Sequence, residues 1–186
     1  MPILAREPDV YPEGLLDRPE VGCESTRRWH VVHTRPRQEK TLARQLRSLR
    51  IAHYLPQTER KFRSPNGRRR VSFVPLFTGY LFLYGDGHER LQAYQTHSAA
   101  QVLDVPDGAE LTFDLRQISR LTIIGQPLTP VARLQPGTRV RITGGPFESF
   151  EGRILKKRAG DRLLVVVNYL QQGVTVELDD YELEEL

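Results

Sequence analysis

The stretch that decides the fold of the C-terminal part of this chain is Gly137–Leu155, GTRVRITGGPFESFEGRIL. Polar and apolar residues alternate along 138–143, which is the pattern of a half-buried strand. Gly144-Gly145-Pro146 then favours a tight turn, because glycine tolerates positive φ and proline restricts φ. Gly152 marks a bulge or a close backbone approach, and Ile154-Leu155 resumes a strand. The stretch therefore predicts a β-hairpin.

The rest of the C-terminal part continues in short strands. They are predicted at 138–143, 151–157, 163–168, 173–178 and 181–183. Five short strands in under fifty residues predict a small SH3-like β-barrel over 136–186. Leu163–Val167 is rich in β-branched residues, and the glycines around it oppose helix. We therefore predict that this part is β in the free protein.

Residues 28–124 predict a larger α+β domain, an antiparallel sheet with helices packed on it. Leu42, Leu46 and Leu49 lie at helical spacing and predict a buried stripe on the first helix. Strands are predicted at 29–34, 53–59, 71–76, 80–84 and 101–105, and two further helices at 89–96 and 114–124. Before this domain, the proline-rich residues 1–27 predict a flexible tail. After it, residues 125–135 predict a linker.

The charge of the chain is concentrated in its middle. The net charge is +4, but residues 29–131 hold fifteen basic and eight acidic residues, while both flanks are slightly acidic. Arg35–Arg70 alone holds twelve Lys and Arg against Glu39 and Glu59. Such a local excess suits a polyanion, most simply nucleic acid. The alternative is a solvated charged face.

The positive charge is densest in an arginine-rich hairpin. Asn66-Gly67 is a strong hairpin signal between two strands. The basic residues repel one another unless anions or solvent screen them, and a projecting basic hairpin can follow a phosphate backbone. The alternative is a loop kept basic for solubility. The basic residues around the turn are Arg60, Lys61, Arg63, Arg68, Arg69 and Arg70.

Five aromatic residues fall within Phe73–Tyr84. Tyr80, Phe82 and Tyr84 share one face of a strand, and leucines occupy the other, so both faces are apolar. Either the strand is buried on both faces, or one face docks on a partner, where aromatic residues supply much of the binding energy.

No pattern of catalytic or metal-binding residues is visible in the sequence. His30 and His33 point to opposite faces of a strand, and no second cysteine accompanies Cys23. There is no phosphate-binding glycine loop and no nucleophile elbow. We predict a protein that is not an enzyme and that needs no metal or cofactor.

The cysteine content and the apolar segments of the sequence indicate where in the cell the protein is located. A lone cysteine suits a reducing cytosol. No apolar run approaches the length of a transmembrane helix, and the N-terminus has no secretory signal. We predict a cytoplasmic monomer without a membrane partner.

Two sequence stretches together resemble one family. Trp29-His-Val-Val-His-Thr34, a basic helix and then Pro75-Leu-Phe-Thr-Gly-Tyr-Leu-Phe-Leu83 resemble the N-terminal domain of NusG-family transcription elongation factors. Residues 137–155 resemble the KOW motif of the same family. The resemblance covers about residues 28–186, in the family's domain order. It implies a non-enzymatic elongation or antitermination factor that rides on RNA polymerase and suppresses pausing or termination.

The resemblance also implies site residues. In the pattern Phe-x-Gly-Tyr-x-Phe, it implies that Phe77, Tyr80 and Phe82 dock on the clamp helices of bacterial RNA polymerase. The segment Glu89–His97 would contact the opposite side of the polymerase cleft. The basic face would lie near the non-template DNA strand. The DNA-facing candidates are Lys40, Arg44, Arg47, Arg60, Lys61, Arg63, Arg68, Arg69 and Arg70.

The KOW domain of this family recruits termination factor Rho or a small-subunit ribosomal protein. The candidate contacts are Phe147, Phe150, Tyr169 and Leu170; the alternative is that at least two of them belong to the barrel core. Thr78 replaces a proline of the housekeeping pattern, which together with the extra tail favours a specialised RfaH-like antiterminator over a general NusG. The competing function is an RNA-binding KOW protein of ribosome assembly, which leaves the aromatic strand without a role.

Overall fold

The chain, described by a computed structural model, divides into two compact units, Met1–Thr112 and Phe113–Leu186. The structure describes residues 7–23, 26–63, 67, 69–131, 137–155, 161–178 and 182–186, with only the backbone of residues 69 and 70. In this described part, the chain is mixed α/β with three α-helices and antiparallel sheets. No helix there is long and apolar enough to cross a membrane.

The first unit contains a five-stranded sheet in the order β1-β3-β6-β2-β7, with antiparallel neighbours, and a separate two-stranded ribbon, β4-β5. Its elements are β1 (Val10–Tyr11), β2 (Arg28–Thr34), α1 (Glu39–Ser48), β3 (Ala52–Tyr54), β4 (Gln57–Arg63), β5 (Arg69–Pro75), β6 (Tyr80–Gly85), α2 (Gly87–Gln95), β7 (Ala99–Asp104) and the start of α3 (Gly108–Ile124).

One face of this sheet is covered by the apolar stripe of α1. Leu42 and Leu46 are fully buried in a cluster with Leu81 and Leu83 of β6. The helical spacing therefore predicted their burial correctly. Leu49 follows the last residue of α1 and is exposed, so the predicted stripe is one residue too long.

The central strand β6 is buried on both faces. Leu81 and Leu83 contribute to the cluster with α1, and Phe82 and Tyr84 on the opposite face are also buried. Trp29 of β2 lies beside Tyr84, with ring centroids 5.1 Å apart, and its indole N–H donates to Thr112 Oγ1 at 2.8 Å. Both faces are therefore buried from Leu81 to Tyr84, whereas Tyr80 at the start of the strand is half-buried.

The N-terminal segment packs on the first unit, which differs from the flexible tail that its composition predicts. In the described residues 7–23, β1 pairs with β3 at the edge of the sheet, and Tyr11 stacks on His53 with ring centroids 5.8 Å apart. Leu15, Leu16 and Val21 are buried. The segment therefore closes an edge that would otherwise present unpaired backbone groups.

The second unit contains the remainder of α3 and a six-stranded antiparallel sheet in the order β13-β9-β10-β11-β12-β8. The short strand β8 falls inside the stretch predicted as a linker, and it pairs with β12. The strands are β8 (Thr129–Val131), β9 (Thr138–Gly144), β10 (Glu151–Leu155), β11 (Arg162–Val167), β12 (Gln172–Glu177) and β13 (Glu182–Glu185).

The deciding stretch folds as its sequence predicts. β9 and β10 pair antiparallel, and Gly145 in the turn between them has a φ of 87°, a value that favours glycine. A Cβ atom on Gly152 would lie 2.4 Å from the carbonyl oxygen of Leu164 on β11. Gly152 thus allows the backbones of β10 and β11 to approach closely, which is one of its two predicted roles.

Candidate nucleic-acid and protein interfaces

The β4-β5 ribbon carries exposed basic residues. Its two strands pair over seven positions, from Gln57↔Pro75 to Arg63↔Arg69. Burial decreases along β4, so that every residue from Glu59 to Arg63 is exposed. Three of the predicted DNA-facing residues, Arg60, Lys61 and Arg63, therefore lie at a surface that a polyanion can reach. Arg68 and the side chains of Arg69 and Arg70 lie outside the described residues.

The positive charge of the ribbon is only weakly compensated. Lys61 Nζ lies 3.4 Å from Glu59 Oε1, and both side chains are largely exposed. An ion pair of this kind contributes little, because water screens it. Within the described part of the chain, Arg60 and Arg63 form no ion pair.

The basic residues of α1 contact the N-terminal segment instead. Arg44 Nη2 and Nε donate to Glu7 Oε1 at 2.6 and 3.0 Å, and Arg47 Nη2 donates to the carbonyl of Pro8 at 3.1 Å. The hydrogen bonds from Arg44 lower the pKa of the Glu7 carboxyl, which therefore stays ionised. Arg44 and Arg47 thus already form hydrogen bonds with the N-terminal segment, although their DNA-facing role stays a prediction.

The start of α1 contacts the ribbon and the loop that precedes β6. Lys40 Nζ donates to the carbonyl of Phe73 at 2.6 Å, so this predicted DNA-facing cation also has an internal partner. The buried carboxylate of Glu39 accepts the N–H of Gly79 at 2.8 Å. Gly79 has a φ of 84°, which glycine accommodates without strain. These contacts fix the loop in front of Tyr80.

The three predicted polymerase-docking residues differ in accessibility. Phe77 and Phe82 are 2% and 0% exposed, and their rings meet edge to face with centroids 6.2 Å apart. Tyr80 is half-buried and lies beside the exposed His33, with ring centroids 5.2 Å apart. Tyr80 and His33 are therefore the accessible neighbours at this end of the sheet. His33 was missed in the sequence because its proximity depends on the β2-β6 register.

The four residues of the second unit that were predicted to contact a partner also differ in accessibility. Phe147 and Phe150 are buried and pack edge to face, with centroids 6.0 Å apart. Both therefore belong to the core, which is the alternative that the sequence left open. Tyr169 and Leu170 are half-buried in the turn Asn168–Leu170 between β11 and β12.

Polar side chains of α3 bind the turn between β11 and β12 and the first residue of β10. Asp114 Oδ2 accepts the N–H of Asn168 at 2.8 Å, and Gln117 Oε1 accepts the N–H of Glu151 at 2.7 Å. One turn further, the Arg120 guanidinium lies 4.4 Å from the ring centroid of Phe150. Asp114 and Gln117 are buried. The sequence signal was a polar residue at every third position of a helix, but this signal does not reveal which backbone groups these residues bind.

These features define a two-unit α+β protein with an exposed basic ribbon in its first unit. Residues 27–118 match the family described as "Transcription termination factor nusG". A comparison with curated proteins gives no match. The chain therefore carries a NusG-family domain, as the resemblance of this part predicts. This domain indicates a transcription factor of the elongation or antitermination class, a family whose usual partner is RNA polymerase.

Proposed function

We propose that this protein docks on the clamp of bacterial RNA polymerase and suppresses pausing or termination, without catalysing a reaction. The single observation that carries the proposal is the family match, which spans β2, the basic ribbon and the aromatic strand β6. The proposal includes the narrower RfaH-like role at selected operons and a cytoplasmic site of action as a monomer.

The contact with the non-template DNA strand is assigned first to the ribbon. Its described cations are exposed and weakly compensated, whereas the predicted cations of α1 have internal partners. The carboxylate of Glu7 competes with a polyanion for Arg44, so α1 is a secondary contact that Glu7 attenuates.

The contact with the polymerase clamp is assigned to the surface around Tyr80. Tyr80 is the accessible member of the predicted set, and Phe77 and Phe82 support it by packing against each other. A half-buried tyrosine offers a large apolar area and a hydroxyl at little entropic cost, which is typical of binding hot spots.

The second unit is proposed to be an SH3-like KOW barrel that recruits Rho or a small-subunit ribosomal protein. Its six-stranded antiparallel sheet and the half-buried Tyr169 and Leu170 support this role. Phe147 and Phe150 stabilise the core and position the β9-β10 turn, so they contribute to such a contact only indirectly.

The experiment that tests the polymerase contact is co-elution of the full chain with purified bacterial RNA polymerase. We expect wild type to co-elute and Tyr80→Ala to lose about 30-fold or more in affinity, since hot-spot truncation costs about 2 kcal/mol or more. Tyr169→Ala is the matched control, because this tyrosine is also half-buried but lies in the second unit. Equal binding by Tyr80→Ala would refute the assignment of this surface.

Failure of wild type to co-elute, together with retained binding to RNA, would instead favour the ribosome-assembly alternative. In that case the basic ribbon alone would account for the interaction.

A further inference from the structure

An aromatic side chain lies exposed among the cations of the ribbon. Phe62 is 46% exposed, and its neighbours in the chain are Lys61 and Arg63. Burying a phenylalanine side chain stabilises a folded protein, so an exposed one forgoes part of that gain. Solubility alone explains the cations around it but not the ring.

The strand geometry places a cation and the ring on one face. Side chains alternate along β4, so Arg60 and Phe62 share one face while Lys61 and Arg63 share the other. Two residues along a strand span about 7 Å. A ring with a guanidinium at that distance resembles the surfaces that bind single strands, in which bases stack on aromatic rings and cations follow the backbone.

We propose that Phe62 is a stacking platform for an unpaired base of single-stranded DNA, with Arg60 contacting the adjacent phosphate. The occupant is a polyanion, because the exposed part of β4 carries the three cations Arg60, Lys61 and Arg63 and one carboxylate, Glu59, which pairs with Lys61. It must be single-stranded, because the faces of bases in a duplex are already stacked and only an unstacked base presents one to a protein. This inference rests on the proposed function, which supplies such a strand in the opened DNA.

The first test is the affinity of the full chain for a labelled oligothymidine and for a DNA duplex, by fluorescence anisotropy at several salt concentrations. We expect Phe62→Ala to weaken oligothymidine binding about tenfold, from the loss of one stacked base. Its salt slope and its affinity for duplex should stay at the wild-type values. Phe113→Ala is the matched control, because Phe113 is 45% exposed and lies on α3 of the second unit.

A charge variant separates stacking from phosphate contact. We expect Arg60→Gln to reduce the salt slope of single-strand binding by about 0.7, the release expected from one phosphate contact. An unchanged slope in this variant would overturn the role given to Arg60. Equal losses for single strand and duplex in Phe62→Ala would overturn the stacking role.

A spectroscopic variant reports stacking directly. Phe62→Trp should keep the affinity, and its fluorescence should be quenched when oligothymidine binds. The only native tryptophan, Trp29, is fully buried and supplies a constant background. Phe62→Leu keeps an apolar side chain on the ribbon, so a loss of binding comparable to that of Phe62→Ala separates stacking from simple loss of packing. Unchanged fluorescence of the Phe62→Trp variant, or tighter binding to oligouridine than to oligothymidine, would overturn the proposal.

The outcome is separable from that of the proposed function. Phe62→Ala should still co-elute with RNA polymerase, because Tyr80 is unaltered. If polymerase binds and Phe62→Ala keeps wild-type affinity for oligothymidine, only the stacking inference fails. If Phe62 matters for oligothymidine but wild type does not bind polymerase, the proposed function fails while the stacking inference stands.

Discussion

Acid should weaken the first unit through one buried imidazole. His53 on β3 is fully buried, its Nδ1–H donates to the carbonyl of Ile51 at 2.9 Å, and burial lowers its pKa to about 4 from an ordinary value of 6.5. The unfolded chain therefore takes up a proton below pH 6.5 that the folded chain refuses until about pH 4. The free energy of unfolding is therefore highest above pH 6.5, and it falls as the pH drops from 6.5 to about 4.

The size of the effect follows from the two pKa values. A shift of this extent makes the contribution of His53 to the free energy of unfolding about 2 kcal/mol smaller at pH 5 than at pH 7, and about 3 kcal/mol smaller below pH 4. His53→Phe keeps a ring against Tyr11 but cannot titrate. It loses the hydrogen bond to Ile51, which lowers stability by a similar amount at every pH.

Urea unfolding of wild type and His53→Phe at pH 7 and pH 5 measures this difference. Trp29 lies in the same sheet as His53, so its fluorescence follows the first unit. We expect the stability of wild type to fall by about 2 kcal/mol more than that of the variant between these two pH values. His30, whose pKa is also lowered by burial, is present in both proteins and cancels in the comparison. Parallel pH dependences would refute the reasoning.

Two further predictions concern the N-terminal segment and the second unit. Glu7→Gln removes the carboxylate that binds Arg44, and we expect the loss of stability to be less than about 1 kcal/mol. Fluorescence anisotropy at low salt should show tighter binding of this variant to oligonucleotides. An unchanged affinity would show that Arg44 does not face nucleic acid. Gly152→Ala places a Cβ 2.4 Å from the Leu164 carbonyl, and we expect urea unfolding to show a loss of about 1–3 kcal/mol. Gly87→Ala at the start of α2 is the control, because open space surrounds that position and no such loss is expected.

Local patterns in the sequence predicted the parts of the fold that depend on near neighbours. The alternation around the Gly144–Pro146 turn predicted β9 and β10, and leucine spacing predicted the buried face of α1. In both cases the period of the apolar residues determines which face is buried, whatever lies opposite. The five strands predicted for the C-terminal part are likewise found within one or two residues of their expected positions.

Contacts between distant residues could not be predicted in this way. β1 is two residues long and becomes a strand only because the edge of β3 is available to it. The contact of Glu7 with Arg44 joins residues 37 apart, and no local pattern indicates it. For that reason the sequence predicted a flexible tail where the structure has a packed segment, and it gave no sign of the internal partners of Arg44 and Arg47.

The predicted site residues illustrate the same division. The exposure of Arg60, Lys61 and Arg63 follows from their density of charge, which resists burial. The aromatic residues carry no such signal, because burial and docking both favour apolar rings. Only packing distinguishes Phe77 and Phe82 in the core from the half-buried Tyr80.

The hydrogen bonds of α3 determine where the second unit can be cut from the rest of the chain. Asp114 accepts the backbone N–H of Asn168 in the β11–β12 turn, and Gln117 accepts that of Glu151 at the start of β10, so the helix supplies acceptors that the strands do not. A fragment that starts after Ile124 would have to satisfy those N–H groups with water, whereas one that starts at Phe113 keeps both acceptors. The working boundary for expressing this unit alone therefore lies inside a helix rather than after it.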